Sequence, residues 1–488
     1  MWLESPMPPT ILGLHHVTAT VSDAQADLDF CLDRLGLRLV KKTVNFDDPA
    51  TYHLYYGNEQ ADPGTLLTFF PWEGSAAGRQ GAGQVGRIYL KAERGSLEAW
   101  RQRLRDHQVA FRESERGLEF HDDEGMRLGL VESDEPGSGG FWGLELLVSD
   151  SASMAAVLEK MGARRVQDGH YQMGPHHFLL VVDPQRGSSG AGTIHHLAFR
   201  LPDEDSHRQW QGLAASWGWG ATPVIDRNYF KAFYFRTRQG ILFEVSSDTP
   251  GFAIDEPLEV LGQRLQLPPQ YEAHRARIES ILPPLEVPYH YLRQLRDPKE
   301  WVLALHGTGG DEHDLVPLIS RVHGRASLLS PRGNVPEQGM ARFFRRLAPG
   351  VLDETDVARR AQEMEEFVRG QLPVGARLTA LGYSNGANLA AAMLLLGSRQ
   401  LAGAALLRPM LPLQPERLPD LSEKEVLLIR ALQDPVIPAA STDRLIHTLQ
   451  QAGARLQVHE LPGGHELGAA DQEILRAWFE TRSLSLTA

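Results

Sequence analysis

Three residues, His16, His196 and Glu244, have the types and spacing to hold a metal ion, and the case for them comes from comparing the chain with itself. LHHVT at 14–18 lies over IHHLA at 194–198, matching His16 with His196, and GTLLT at 64–68 lies over GILFE at 240–244, matching Thr68 with Glu244. The internal spacings agree, with 52 residues from His16 to Thr68 and 48 from His196 to Glu244. Four equivalent positions therefore carry His, Thr, His and Glu, of which three can bind a metal and one cannot. Two imidazoles and one carboxylate on three strands form the facial arrangement that suits non-haem Fe(II), and they leave coordination positions open, as chemistry with O2 requires. Paired histidines on a strand are also compatible with cross-strand packing, and a glutamate near a strand end is usually solvated. The repetition favours the metal, as does the place of Glu244 inside the apolar run GILFEV, where a buried carboxylate has to be paired or metal-bound. His53 stays open as a rival ligand. His176 and His177 have no counterpart in the repeat and are expected at a strand edge. Leu144 or Glu145 stands where a histidine would be in the middle copies, so one site is expected rather than two.

A second constellation lies in the back part of the chain. Gly382-Tyr383-Ser384-Asn385-Gly386 is a G-x-S-x-G motif between the apolar run RLTALGY and the helical ANLAAAMLLLG. A sharp strand-to-helix turn there lifts the serine hydroxyl into a pocket. Asp434 in LQDPVIP and His465 in LPGGHEL follow in the order that a serine triad on such a sheet uses. Ser384 would attack a carbonyl, His465 would take its proton and Asp434 would hold the imidazole tautomer. The glycine turn LALHGTGG offers a backbone N–H at Thr308, which with that of Asn385 would form an oxyanion hole. Without these companions Asp434 would read as a surface acid and His465 as a turn residue. The arginines Arg332, Arg342, Arg345 and Arg346 fit an anion-binding rim or, more simply, a solvated basic face.

The elements that must position these groups fall into two rhythms. Residues 11–72 read as a strand, a helix (SDAQADLDFCLDRLG) and three strands, and residues 192–247 repeat that order. Weaker copies begin at VGRIYLKA and FWGLELLVSD. Four strand-helix-three-strand units of about 50 residues imply two curved mixed sheets, because one such unit cannot bury its sheet face alone. A proline-rich, helical stretch over 250–284 follows. After it the strands WVLALHG, ASLLSPRG, RLTALGYS, AGAALLRP and EVLLIRAL alternate with amphipathic stretches, as in a parallel sheet covered on both faces. The boundary is expected near residue 285, giving units 1–285 and 286–488. Each carries a full set of candidate groups, so the two sites are expected to work independently.

The bulk composition agrees. The 488 residues include 42% apolar and 23% charged side chains, which is ordinary for a globular protein. A net charge of -13 argues against nucleic acid as a partner. The single cysteine, Cys31, sits at helical spacing with Leu28, Leu32 and Leu35 and reads as a core residue. The N-terminal residues show no basic, apolar secretory pattern and no run is long enough to span a membrane, so a cytoplasmic protein with no membrane partner is expected. A homo-oligomer stays open.

The segments LGLHHVTATVSD, RLVKKTVNFDDPATYHLYYG, GTLLTFFPW, TIHHLAFRLPDE and IDRNYFKAFYFRTRQGILFEVSSDTPGF resemble the hydroquinone-type ring-cleaving dioxygenases of the vicinal oxygen chelate superfamily, over residues 10–280. The resemblance implies an α+β fold of tandem βαβββ modules and a mononuclear Fe(II) site, with Mn(II) as the alternative ion. It implies O2-driven opening of a dihydroxybenzene, in aromatic catabolism or detoxification. The ligands carried over are His16, His196 and Glu244, and His195, Arg227 and Tyr234 would handle the second hydroxyl and the proton transfers. Strict strand alternation points His195 away from His196, and only the resemblance brings it to the pocket. LHGTGGDEHDL, SPRGNV, RFFRR, GYSNGANLA, LQDPVIP and GGHEL resemble the carboxylesterase/phospholipase branch of the α/β-hydrolases, over 286–484. That resemblance implies hydrolysis of a small ester or thioester without a metal. The competing readings make the front part a non-catalytic binder of aromatic compounds, or a glyoxalase-like isomerase. Thr68 argues against the isomerase, which would be expected to fill the fourth corner.

Overall fold

The computed structural model describes residues 9–134, 140–286, 289–348 and 350–484. Backbone contacts divide the chain into a unit Met1–Glu286 and a unit Val287–Ala488. Among the described residues, no helix is long and apolar enough to cross a membrane.

The first unit contains two eight-stranded sheets, and the repeats sort between them in a definite way. The first and fourth copies share one sheet, and the second and third share the other. At the centre of the first sheet, strand Leu14–Val21 pairs antiparallel with Thr193–Leu201. Each is flanked by a parallel neighbour, Leu66–Pro71 beside the former and Leu242–Pro250 beside the latter. His16, His196 and Glu244 thus come from three adjacent strands. The helices that follow the central strands are fixed by matched caps. Asp23 accepts from the backbone N–H of Gln25 and Ala26, and Asp203 from that of Ser206, each satisfying N–H groups that the first turn leaves without partners. Cys31 is fully buried in a π-helical turn beside Leu28, as its spacing implies. ATPVIDR shrinks to the two-residue edge strand Ile225–Asp226.

His176 and His177 do not lie at a sheet edge. Their strand, His176–Val182, is paired on both sides in the second sheet. His176 is buried, and its Nδ1 accepts the backbone N–H of Leu14 at 3.0 Å. His177 stacks on Trp142 with ring centroids 4.3 Å apart. The proline-rich tail is helical over Pro269–Glu272 and Arg275–Ile281. Ahead of those helices it is tied to the first sheet by the fully buried Lys41, whose Nζ donates to Asp255 at 2.6 Å and Glu256 at 2.7 Å.

The second unit is a seven-stranded sheet, parallel except for the edge strand Tyr291–Gln294, which sequence periodicity did not reveal. In strand Glu300–Leu305, alternation sends Trp301, Leu303 and Leu305 into the core on one face and Val302 and Ala304 into the core on the other. Helix Asn385–Leu395 is buried along its whole length, which explains its run of alanine and leucine. Two short hairpins, Val335–Glu337 with Met340–Arg342 and Arg346–Ala348 with Val351–Leu352, were also unforeseen. The four arginines in and beside these hairpins do not form an anion rim: Arg332 pairs with Glu312, Arg342 and Arg346 with Glu337, and Arg345 with Asp353.

Candidate active sites

In the first sheet, His16 Nε2, His196 Nε2 and Glu244 Oε2 lie 3.3, 3.4 and 2.9 Å apart, all three residues buried. Three donors each about 2.1 Å from one ion and at right angles to one another would stand about 3 Å apart, so the set fits a single metal. Its chemistry fits as well. Burial works to raise the Glu244 carboxyl, but His16 and His196 outweigh it and hold the group well below the usual range, so it is ionised. Burial lowers His196 against the pull of Glu244, which favours the neutral imidazole that a metal ligand must be. Thr68 sits at the fourth corner with its hydroxyl 2.8 Å from that of Thr18 and 3.0 Å from His53 Nε2. His53 therefore lines the cavity without joining the ligand set. Its Nδ1 meets the Tyr55 hydroxyl at 2.9 Å.

His195 departs from strand alternation for a reason visible in the register. Leu14 faces Phe199 but His16 faces Ala198, so His15 is an extra residue in its strand. Thr18 faces His196 but Ala19 faces Ile194, so His195 is the extra residue in the other. These are two β-bulges, one per copy, and a bulge re-aims the side chain it carries. Each puts a second imidazole behind a ligand: His15 Nδ1 is 2.9 Å from His16 Nδ1, and His195 Nδ1 is 2.7 Å from His196 Nδ1. His15 is buried, whereas His195 is exposed on the cavity wall, where partial desolvation with His196 and Arg236 draws it below an ordinary histidine.

The cavity in front of the three donors measures about 230 Å³ and has aromatic walls, among them Phe70, Trp72 and Phe230. Arg227 and Tyr234 line it too, with Arg227 Nε donating to the Tyr234 hydroxyl at 3.1 Å. Burial opposes the Arg227 charge, but Tyr234 and Asp47 secure it, and burial raises the Tyr234 phenol far above its ordinary value.

The second sheet carries the same topology without the site. Matching registers place Gly143 at the position of His16 and Arg87 at that of His196, rather than Leu144 or Glu145. The Arg87 guanidinium reaches Glu119 at 3.2 Å and Glu145 at 4.0 Å, so a side chain supplies the cation there. The shared Gly-Ala-Gly at 81–83 and 190–192 carried that alignment in the sequence.

In the second unit, Ser384 has φ 52° and ψ -109°, a strained turn between strand Arg377–Tyr383 and helix Asn385–Leu395. The motif's glycines are sterically required: a Cβ on Gly386 would lie 2.0 Å from the Leu305 carbonyl oxygen, and one on Gly382 2.5 Å from that of Gly386. His465 Nε2 is 2.9 Å from Ser384 Oγ, and His465 Nδ1 is 2.8 Å from Asp434 Oδ2. Burial works to raise the Asp434 carboxyl, but His465 and the N–H groups of Val436 and Ile437 hold it below the usual range. Thr308 lies in the turn after strand Glu300–Leu305, its hydroxyl accepting from Arg342 Nη1 at 2.7 Å. Asn385 is the first residue of its helix, so its N–H has no acceptor one turn back.

Comparisons with known proteins match the front and back parts of the chain to different families. The family described as "Glyoxalase/Bleomycin resistance protein/Dioxygenase superfamily" matches residues 13–245, and "Dienelactone hydrolase family" matches residues 340–474. The chain is 43% identical to "Putative ring-cleaving dioxygenase MhqO" of Bacillus subtilis, over 58% of this chain and 99% of that protein. It is 33% identical to the chlorohydroquinone/hydroquinone 1,2-dioxygenase of Sphingobium indicum, over 54% of this chain and 94% of that one. It is 40% identical to "Putative hydrolase MhqD" of Bacillus subtilis, over 37% of this chain and 92% of that one. A crystal structure of a "putative dioxygenase from Bacillus subtilis" aligns with TM-score 0.56 at 43% identity, over 57% of this chain and 99% of that one. The chain belongs to the ring-cleaving dioxygenases of the glyoxalase/bleomycin resistance superfamily, with a hydrolase of the dienelactone hydrolase type fused behind them in one enzyme.

Proposed function

We propose that the first unit is an Fe(II)-dependent dioxygenase that opens the ring of a hydroquinone, and that the second is a serine hydrolase acting on a small ester or thioester. The carrying observation is three buried donors, spaced for one ion, facing an aromatic-walled cavity. His16, His196 and Glu244 would hold the ion, with Mn(II) the alternative occupant. Iron(II), when bound, supplies the redox chemistry that lets a diol react with O2. Both oxygen atoms end in the opened product, so no organic cofactor is required.

The chain's own residues do the rest. With Nε2 offered to the ion, each ligand imidazole keeps its proton on Nδ1 and donates it to the Nδ1 of the histidine before it. That leaves His195 with a proton on Nε2, the nitrogen it has for exchange with substrate. A para-diol carries its hydroxyls at opposite ends of the ring, so when one faces the ligands the other needs protein partners. Arg227 and Tyr234 supply a fixed cation and a phenol O–H in the same cavity. Para-hydroquinones should therefore be better substrates than catechols. The relative that acts on chlorohydroquinone and hydroquinone supports this preference.

In the second unit Ser384 attacks the carbonyl, His465 takes its proton and returns it to the leaving group, and Asp434 holds the tautomer. The N–H groups of Thr308 and Asn385 stabilise the oxyanion. The test is an oxygen-electrode screen of substituted hydroquinones and catechols with Fe(II)-loaded protein, paired with an aryl-ester assay. Stoichiometric oxygen uptake with a hydroquinone is expected. A higher kcat/KM for catechol than for every hydroquinone would overturn the substrate reading.

A further inference from the structure

The loop that carries His465 has few regular contacts of its own, yet the imidazole must meet Ser384 on one side and Asp434 on the other. What holds it is a group the triad does not include. Arg408 follows strand Leu401–Leu407 and adopts φ 55°, a left-handed conformation that a non-glycine residue takes only under constraint from its surroundings. Its backbone N–H donates to the Ile429 carbonyl at 2.8 Å. The side chain is buried and paired with the buried Asp471, at 2.7 Å to Oδ1 and 3.0 Å to Oδ2. The remaining donors go to the carbonyls on either side of the catalytic histidine, Nη2 to Glu466 at 3.0 Å and Nε to Gly464 at 3.4 Å. Asp471 also accepts the Gly468 N–H at 2.8 Å, and the Tyr383 hydroxyl donates to the carbonyl of His465 itself at 3.1 Å.

We propose that Arg408 and Asp471, with Tyr383, are positioning residues that clamp the His465 loop so that its imidazole stays in register with Ser384. This rests on the serine-triad reading. A buried ion pair is a weak source of stability compared with apolar packing, so stability alone does not account for placing one here. A guanidinium can grip several carbonyls at fixed angles, and an apolar pair cannot. Three consecutive carbonyls, 464 to 466, are held by these side chains, which leaves the histidine between them little freedom to swing.

The test compares the full chain with Arg408→Met/Asp471→Leu, which removes the pair without leaving a lone buried charge, and with Arg408→Lys and Tyr383→Phe. Aryl-ester kinetics, thermal melts and the downfield N–H proton resonance of the His465–Asp434 hydrogen bond are read on each. Misplacing a catalytic group by about 1 Å costs on the order of 100-fold. The double variant is therefore expected to lose about 10- to 100-fold in kcat with KM unchanged, and its downfield resonance to broaden or vanish. Arg408→Lys and Tyr383→Phe should fall between it and the parent. A folded double variant with kcat within twofold and the resonance intact overturns the proposal. If the double variant does not fold, the two single variants decide: a lowered kcat at unchanged KM supports the clamp, and kcat within twofold in both overturns it. Failure of the triad reading is separately visible, because Ser384→Ala would then keep its activity.

Discussion

The two units solve opposite problems of charge. The site of the first unit points three donors at one place: a buried carboxylate and two buried imidazoles converge with a spacing that suits one ion. The site of the second unit closes on itself, since Asp434 answers His465 and His465 answers Ser384. The two sheets of the first unit repeat the contrast at closer range. One gathers donors spaced for a metal, and the other carries the Arg87 guanidinium at the position of His196.

The largest effect should come from breaking the three-donor site. Glu244→Ala, His16→Ala or His196→Ala is expected to abolish oxygen uptake, by more than about 10³-fold, with loss of bound metal, because the ion then lacks a third protein ligand. Metal analysis showing full occupancy in the Glu244 variant would contradict the assignment. Nearly as large, Asp434→Asn should lower kcat for an aryl ester by about 10³- to 10⁴-fold with little change in KM, since the imidazole is then held in the wrong tautomer. Oxygen uptake should not change.

Arg87→Ala sharpens the comparison between the sheets. It removes one of the two guanidiniums that meet Glu119, which keeps Arg112 at 2.6 Å, at a cost of about 1–3 kcal/mol in the stability of the first unit. Metal stoichiometry should stay at one per chain, because Gly143 and Gly129 stand where His16 and Glu244 do and offer no ligand. Two ions per chain would refute that equivalence.

The smallest effect concerns acid. Burial holds His15, His53 and His176 in the first unit well below an ordinary histidine, while in the second burial lowers His306 and His323. Below about pH 6.5 the unfolded chain takes up protons that these folded imidazoles refuse, so stability falls as pH falls. Each contributes at most about 1.4 kcal/mol per pH unit over that window, and in the first unit the carboxyls of Asp27 and Asp122, which burial raises, offset much of it. Hydrogen exchange of metal-free protein at pH 7, 6 and 5 should show the first unit loosening faster. Equal slopes in the two units would count against it.

The convergence of His16, His196 and Glu244, and that of Ser384, His465 and Asp434, was legible in the sequence because each set is a local pattern repeated or ordered along the chain. His16 and His196 lie in matched pentapeptides, and Ser384 lies in a glycine motif whose spacing the backbone demands. The His195 orientation was not legible, since a bulge is a property of the pairing between two strands 180 residues apart and not of either one alone. Arg408 was hidden for a similar reason: its partner Asp471 is 63 residues away, and nothing in the run ALLRP marks a buried guanidinium. The edge strand Tyr291–Gln294 and the short hairpins after residue 335 are too brief for periodicity to register.

The central claim is that one chain holds two independent catalytic sites, one needing an ion and one not. Oxygen uptake with a hydroquinone and hydrolysis of an aryl ester should be measured side by side on Ser384→Ala and His196→Ala, each confirmed folded. Ser384→Ala is expected to lose the esterase and keep oxygen uptake, and His196→Ala to lose oxygen uptake and keep the esterase. A single substitution that silences both activities in a folded protein would contradict the account.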